Sequence, residues 1–344
     1  MNAWELPGPR AYLEEVANHL TRRRVVTVTL APCDTNVFLD GLRSHLDFIQ
    51  GRETKDIYVG DDPPEEVLAE YVGDESLAHN LEDLSEALRD FAESRAFCFL
   101  DIPQSRLKTW GDFATNYGRL HKNRPDNAVP MVFVLQDKIP VAGITAMPAR
   151  PMATEEDAVL FATLGDVSVS QDRSEARLRA SIAGVLAQWD LDLAKELVCK
   201  PLDCLCDPVP LLKEIAEERC WTPETGGWLA GMTSLSGDLH SAWCALTGNE
   251  TIIERRLWSA QATVLFPLLE NARQSLQARA QRWLKPAQRD QVLELADIDD
   301  QLRINNAPRD LCNEARQARH MRNDLAHLKC IRADQIKDLL FTLR

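Results

Sequence analysis

The chain has 344 residues, enough for two domains and a small third, and 45% of it is apolar, enough for a sizeable core. Its net charge of −14 argues against a surface coated for nucleic acid. No apolar run is long enough to cross a bilayer, and Trp4 to Leu20 is interrupted by Glu5, Glu14 and Glu15, so neither a signal segment nor a membrane partner is expected.

Nine scattered cysteines in a chain of this size fit reduced thiols and a cytoplasmic protein. The charge is uneven. From Thr251 onward 16 Lys and Arg face 12 Asp and Glu, a balance of +4, so residues 1–250 carry −18. The acidic part should repel nucleic acid and leave room for a protein partner, whereas the C-terminal part can tolerate RNA.

In chain order, Pro7 to His19 reads as an amphipathic helix, with Leu13, Val16, Ala17 and Leu20 on one face. Arg24 to Leu30 is rich in β-branched residues and reads as a buried strand. A tight turn through Ala31 to Asn36 follows, then a helix carrying Val37, Leu39, Leu42, Leu46 and Ile49. Further strands are expected at Asp56–Val59, Ala96–Ile102 and Val129–Leu135, with helices at Pro64–Tyr71, Leu81–Glu93 and Leu107–His121 between them. Such alternation implies a parallel sheet with helical crossovers. Residues 143–157 look irregular, and a last strand is expected around Val167 to Ser170.

Strand, tight loop and helix at residues 24–49 resemble the opening of a P-loop NTPase core of the AAA or STAND kind. A working loop needs glycines for close backbone approach, a Lys for the phosphates and a hydroxyl for Mg²⁺. Aligned on GxxxxGK[ST], this chain places Ala31 and Asn36 at the glycines, Val37 at the Lys and Phe38 at the hydroxyl. Asp101 closes its strand as a Walker B aspartate would, but Ile102 and Pro103 follow it. The resemblance therefore implies a degenerate α/β domain over residues 1–170, without nucleotide, cofactor or metal.

Residues 174–200 read as one clear helix, and Pro210–Arg219 as another before a loop at Thr222–Gly227. Cys199, Cys204 and Cys206 are three unevenly spaced thiols with no histidine nearby, too few for zinc. Residues 171–235 are expected to form a helical connector.

From Asp238 the pattern is helical almost to the end. One helix runs through Trp243 and Leu246 and stops at Gly248–Asn249. The long pattern from Glu250 to Leu284 should kink or split at Pro267. A shorter helix at Pro286–Leu295, an acidic loop with a turn of helix at Asp297–Asn306, a helix from Asp310 to about Lys329 and a closing helix at Ala333–Leu343 complete an all-α bundle over residues 236–344.

On the helix from Asp310, Leu311, Ala315, Ala318 and Leu325 line an apolar face and Arg322 sits at its boundary. Arg319, Asn323 and His327 form a polar stripe, with Arg316 and His320 beside it. Arg322-Asn323-Asp324-Leu325-Ala326-His327 resembles the R-x4-6-H motif of the HEPN superfamily in its RNxxAH form. That resemblance covers about a third of the chain. It implies a HEPN-like bundle acting as a metal-independent endoribonuclease, often of phage-defence or toxin systems, and usually dimeric. By position, Arg322 and His327 are the catalytic pair and Asn323 their polar helper, while Arg316, Arg319 and His320 are weaker candidates for an RNA track.

The chemistry agrees with those roles. Histidine can give or take a proton near neutral pH, and arginine can grip a phosphate in two-pronged fashion. Five residues apart on a helix, Arg322 and His327 diverge by about 140°, so a homodimer or larger homo-oligomer is expected to bring both into one cleft. The alternative is a non-catalytic assembly subunit, a pseudo-NTPase joined to a HEPN-like dimerisation bundle.

Overall fold

A computed structural model describes residues 2–30, 34–135, 145–147, 151–165, 173–223, 231–234 and 237–342. Two compact units emerge. The first comprises residues 1–154 and 226–239, the second residues 155–225 and 240–344. The expected connector is thus not a separate piece; its described helices pack with the C-terminal ones.

The first unit is α/β. Helix α1 (Pro7–Arg23) leads into strand β1 (Val25–Thr29), followed by α2 (Thr35–Gln50), β2 (Glu53–Tyr58), α3 (Pro64–Val72), α4 (Leu81–Leu88), β3 (Arg95–Leu100), α5 (Leu107–Leu120), β4 (Met131–Leu135) and the two-residue β5 (Thr145–Ala146). The strands form one parallel sheet in the order β2-β3-β4-β1-β5.

The two-residue repeat of strand side chains decides which helices cover which face. Phe97 and Phe99 of β3 and Met131, Phe133 and Leu135 of β4 meet α3, α4 and α5. The Phe99 and Phe133 rings stack at 4.9 Å, with Trp110 of α5 against both. The alternate residues Cys98, Val132 and Val134, with Val26 and Val28 of β1, meet Tyr12, Leu13 and Val16 of α1 and Phe38, Leu42 and Leu46 of α2.

Several expectations shift here. Residues 31–33 of the loop after β1, and the strand expected at 167–170, lie outside the described residues. The fifth strand found is β5, inside the stretch read as irregular, where two residues are too few to show a period. The end of that stretch is already helical, from Glu155 onward.

Among the described residues the second unit is built of helices: α6 (Glu155–Gly165), α7 (Arg173–Ala187), α8 (Leu191–Val198), α9 (Leu202–Cys206), α10 (Val209–Glu218), α11 (Ser241–Leu246), α12 (Glu250–Ala280), α13 (Leu295–Ile304), α14 (Arg309–Ala326) and α15 (Ala333–Thr342). The single helix expected over 174–200 is broken at Gln188, whose φ of +62° is left-handed, and Asp190 caps the restart by accepting from Leu193 N–H at 2.9 Å. At the α6–α7 contact, a Cβ on Gly184 would lie 2.4 Å from the Val159 backbone, so the position takes no side chain.

The long helix needs no break at Pro267. α12 runs unbroken from Glu250 to Ala280, because flanking packing at Val264, Leu265 and Leu269 outweighs the one hydrogen bond that the proline removes. The helix expected at Pro286–Leu295 is only a 3₁₀ turn at Pro286–Gln288. The acidic stretch read as a loop with a turn of helix lies mostly in the ten-residue α13, whose Leu295, Ile298 and Leu302 are buried and whose Asp297 suits a helix N-terminus.

Candidate functional site

Helix α14 carries the motif. Leu311, Ala315, Ala318, Met321 and Leu325 form its buried face. The face opposite the core is a ridge of Arg316, His320, Asn323 and His327, spaced by four, three and four residues. Arg316, His320 and His327 are exposed and Asn323 half-buried. No side-chain hydrogen bond or ion pair ties any of the four to another described residue.

Arg319 does not belong to that free ridge. Its guanidinium leans toward α13, donating to Asp299 at 3.1 Å and to Asp300 at 3.4 Å. Asp299 is nearly buried, so its charge needs this partner. The expected stripe of Arg319, Asn323 and His327 is therefore redrawn, with Arg316 and His320 taking Arg319's place.

Arg322 points to the same side as Arg319, into a groove of about 410 Å³ that Phe266, Leu269, Glu270, Arg273, Glu294 and Leu295 also line. Its Nη2 lies 3.6 Å from Glu294 Oε2, both side chains being exposed. Glu270 faces the same groove and is gripped by Arg273, whose Nε and Nη2 both donate to it. Those bonds hold the Glu270 carboxyl below the usual carboxylate range, and Arg322 adds a smaller pull. Sequence reading missed Glu270 and Glu294, because both are far from α14 in the chain.

His327 ends the helix. Its N–H donates to the Asn323 and Asp324 carbonyls at 3.0 and 3.1 Å. Leu328 then turns left-handed at φ +59°, its N–H bonding Leu325 O at 3.1 Å while Lys329 N–H bonds Asp324 O at 2.9 Å. Both bonds belong to a Schellman stop, normally built on glycine. No hydrogen bond or ion pair joins Arg322 to His327 among the described residues, and the groove that holds Arg322 does not include His327.

A second polar group in the same unit was not foreseen. His240 is fully buried, donates from Nε2 to Asp190 Oδ2 at 3.1 Å, and accepts the Ala242 N–H at Nδ1, capping α11. Arg219 donates to the same Asp190 oxygen at 2.6 Å, and Trp221 packs edge-on to the His240 ring. Burial lowers the His240 pKa, while His240 and Arg219 hold Asp190 well below the carboxylate range. With no exposure, the histidine ties three helix ends together and has no face for a substrate.

In the α/β unit, Phe38, aligned with the Mg²⁺-binding hydroxyl, is fully buried and edge-on to Tyr12 at 6.4 Å. Val37, aligned with the Lys, packs against the same core. Asp101 is exposed, with a left-handed φ of +55°. Among the described residues no helix is long and apolar enough to cross a membrane. No protein-family model, curated protein or solved structure matches the chain.

Proposed function

We propose that the chain is a metal-independent endoribonuclease of the HEPN kind, with its site completed between two copies of α14. The ridge of Arg316, His320, Asn323 and His327 carries this reading, since four polar side chains, three exposed and one half-buried, line up without a side-chain partner among the described residues. Cleavage needs a base for the 2′-hydroxyl, an acid for the leaving 5′-oxygen and a cation for the crowded phosphate. His327 takes a proton role and Arg322 the phosphate, with Asn323 as a hydrogen-bonding helper. Two copies supply two histidines, one as base and one as acid, and bring together side chains that diverge on a single helix.

The α/β unit serves in this reading as a degenerate P-loop-like platform. Its parallel sheet and the helix after β1 fit that outline, while Phe38 and Val37 serve the core instead of phosphate. Its acidic surface suits a protein partner better than RNA.

A second reading, an assembly subunit without chemistry, draws support from the Arg322–Glu294 pair, because a carboxylate stands where a phosphate would have to bind. Purified protein incubated with total RNA in EDTA separates the two. Degradation that is lost in both His327→Ala and Arg322→Ala supports the nuclease. Intact RNA under all conditions, with self-association retained, overturns it in favour of the assembly role.

A further inference from the structure

The turn that carries His327 is held from both sides by one helix. On the near side, Trp258 of α12 donates its indole N–H to Leu325 O at 2.8 Å, two residues before His327. On the far side, Gln261 uses both ends of its amide on one residue: Ile331 N–H donates to its Oε1 at 2.7 Å, and its Nε2 donates to Ile331 O at 2.8 Å.

Gln261 is fully buried, and the second Nε2 hydrogen finds Cys206 Sγ at 3.6 Å. Burial pushes that thiol up to about 12, so it stays a neutral partner. Every polar atom of the amide is therefore used. Trp258 and Gln261 are three apart, on one face of α12, and their targets bracket residues 326–330. A buried glutamine in the apolar row of Ile253, Leu257, Ala260 and Val264 carries a desolvation cost that only such paired bonds offset.

We propose that Gln261 and Trp258 are positioning residues that set where His327 stands at the end of α14. As a statement about catalysis this rests on the ribonuclease reading above; as a statement about the turn it does not. Neither residue touches the ridge itself. They act through the Leu325 and Ile331 backbone, which leaves the His327 ring open while fixing the chain that bears it.

Two gentle variants test the clamp in the full chain. Trp258→Phe removes the indole donor and keeps a ring in place. Gln261→Glu keeps the acceptor for Ile331 N–H, but loses the donor to Ile331 O unless the acid is protonated. Burial beside a carbonyl favours the protonated form, so the donor should return as pH falls.

Relative to wild type at each pH, Gln261→Glu should cut kcat about tenfold or more at pH 8, with KM within about twofold, and recover toward pH 5.5. A merely structural role predicts no such recovery. A loss that is equal at all pH values, or smaller than about twofold in both variants, overturns the proposal.

Backbone amide shifts of residues 325–331 supply a readout free of activity. Shifts that move in this turn in both variants, while those of α13 stay, support the clamp even if the wild type cuts no RNA. Unmoved shifts overturn it, whatever becomes of the nuclease.

Discussion

Arg322 and Glu294 sit 3.6 Å apart, so the arginine that best matches a phosphate-gripping motif already faces a carboxylate in its own chain. Both side chains are exposed, and such pairs are weak, worth about 0–1 kcal/mol. RNA phosphate would therefore compete with Glu294 rather than be shut out by it. Glu294→Gln should raise affinity for a short 2′-O-methyl RNA about two- to fivefold at low salt, an advantage that fades as salt screens the charges. Arg322→Ala should cancel the gain. Fluorescence anisotropy reads both, and equal affinity in wild type and Glu294→Gln would mean that the carboxylate does not guard the arginine.

Arg319 leads to the opposite expectation. It was a natural member of the RNA track by spacing, yet it neutralises the nearly buried Asp299. Arg319→Ala strands that carboxylate and should destabilise the protein by about 1–3 kcal/mol, seen as a lower urea midpoint. Its RNA affinity should change less than that of Arg316→Ala, whose side chain is exposed and has no ion pair among the described residues. A large loss of RNA binding with unchanged stability would return Arg319 to the track.

The same pair shows what the sequence could and could not disclose. The strands at Val25–Thr29 and Met131–Leu135 were readable because every residue in them is buried, giving short apolar runs with clear ends. The buried face of α14 was readable from its helical spacing. Asp297–Asn306 reads as a loop with a turn of helix because seven of its ten residues are charged or polar, Asp299 and Gln301 among them, although those two are buried. Arg319, twenty positions away, is what lets Asp299 face inward. Asp190 and His240 lie fifty positions apart, and no local pattern joins them. Gln261 was detectable in principle, as a polar residue on an otherwise apolar face.

Close approach of α6 and α7 gives a prediction independent of RNA. A methyl group at Gly184 would land 2.4 Å from the Val159 backbone and 2.5 Å from its Cγ2. Backbone cannot swing aside as a side-chain tip can. Gly184→Ala should cost about 1–3 kcal/mol by forcing the helices apart, even though alanine is the better helix former. Chemical denaturation measures this, and a variant as stable as wild type would show that the two helices separate freely.

Acidification tests the buried His240–Asp190 link. His240 has a lowered pKa in the folded protein, so near pH 6.5 and below the unfolded chain binds a proton that the native state resists. The unfolded state then holds more protons, and stability rises with pH across that window. Equivalently, the stabilisation from keeping His240 neutral is whole above pH 6.5 and declines as pH falls. Asp190 acts in the same direction lower down: its folded pKa is depressed, so its contribution is present above the ordinary carboxylate value and is lost only as pH drops through the folded one. Protonation at Nδ1 would also cost α11 its cap, since that nitrogen accepts the Ala242 N–H. Urea midpoints measured from pH 7.5 to 5 should fall steadily for wild type. His240→Asn keeps a capping oxygen and an amide donor for Asp190 but cannot titrate, so its midpoint should vary less over the same range. His121, whose pKa burial also lowers, remains in that variant and accounts for part of any residual slope. Identical slopes in the two proteins would place the acid sensitivity elsewhere than at His240.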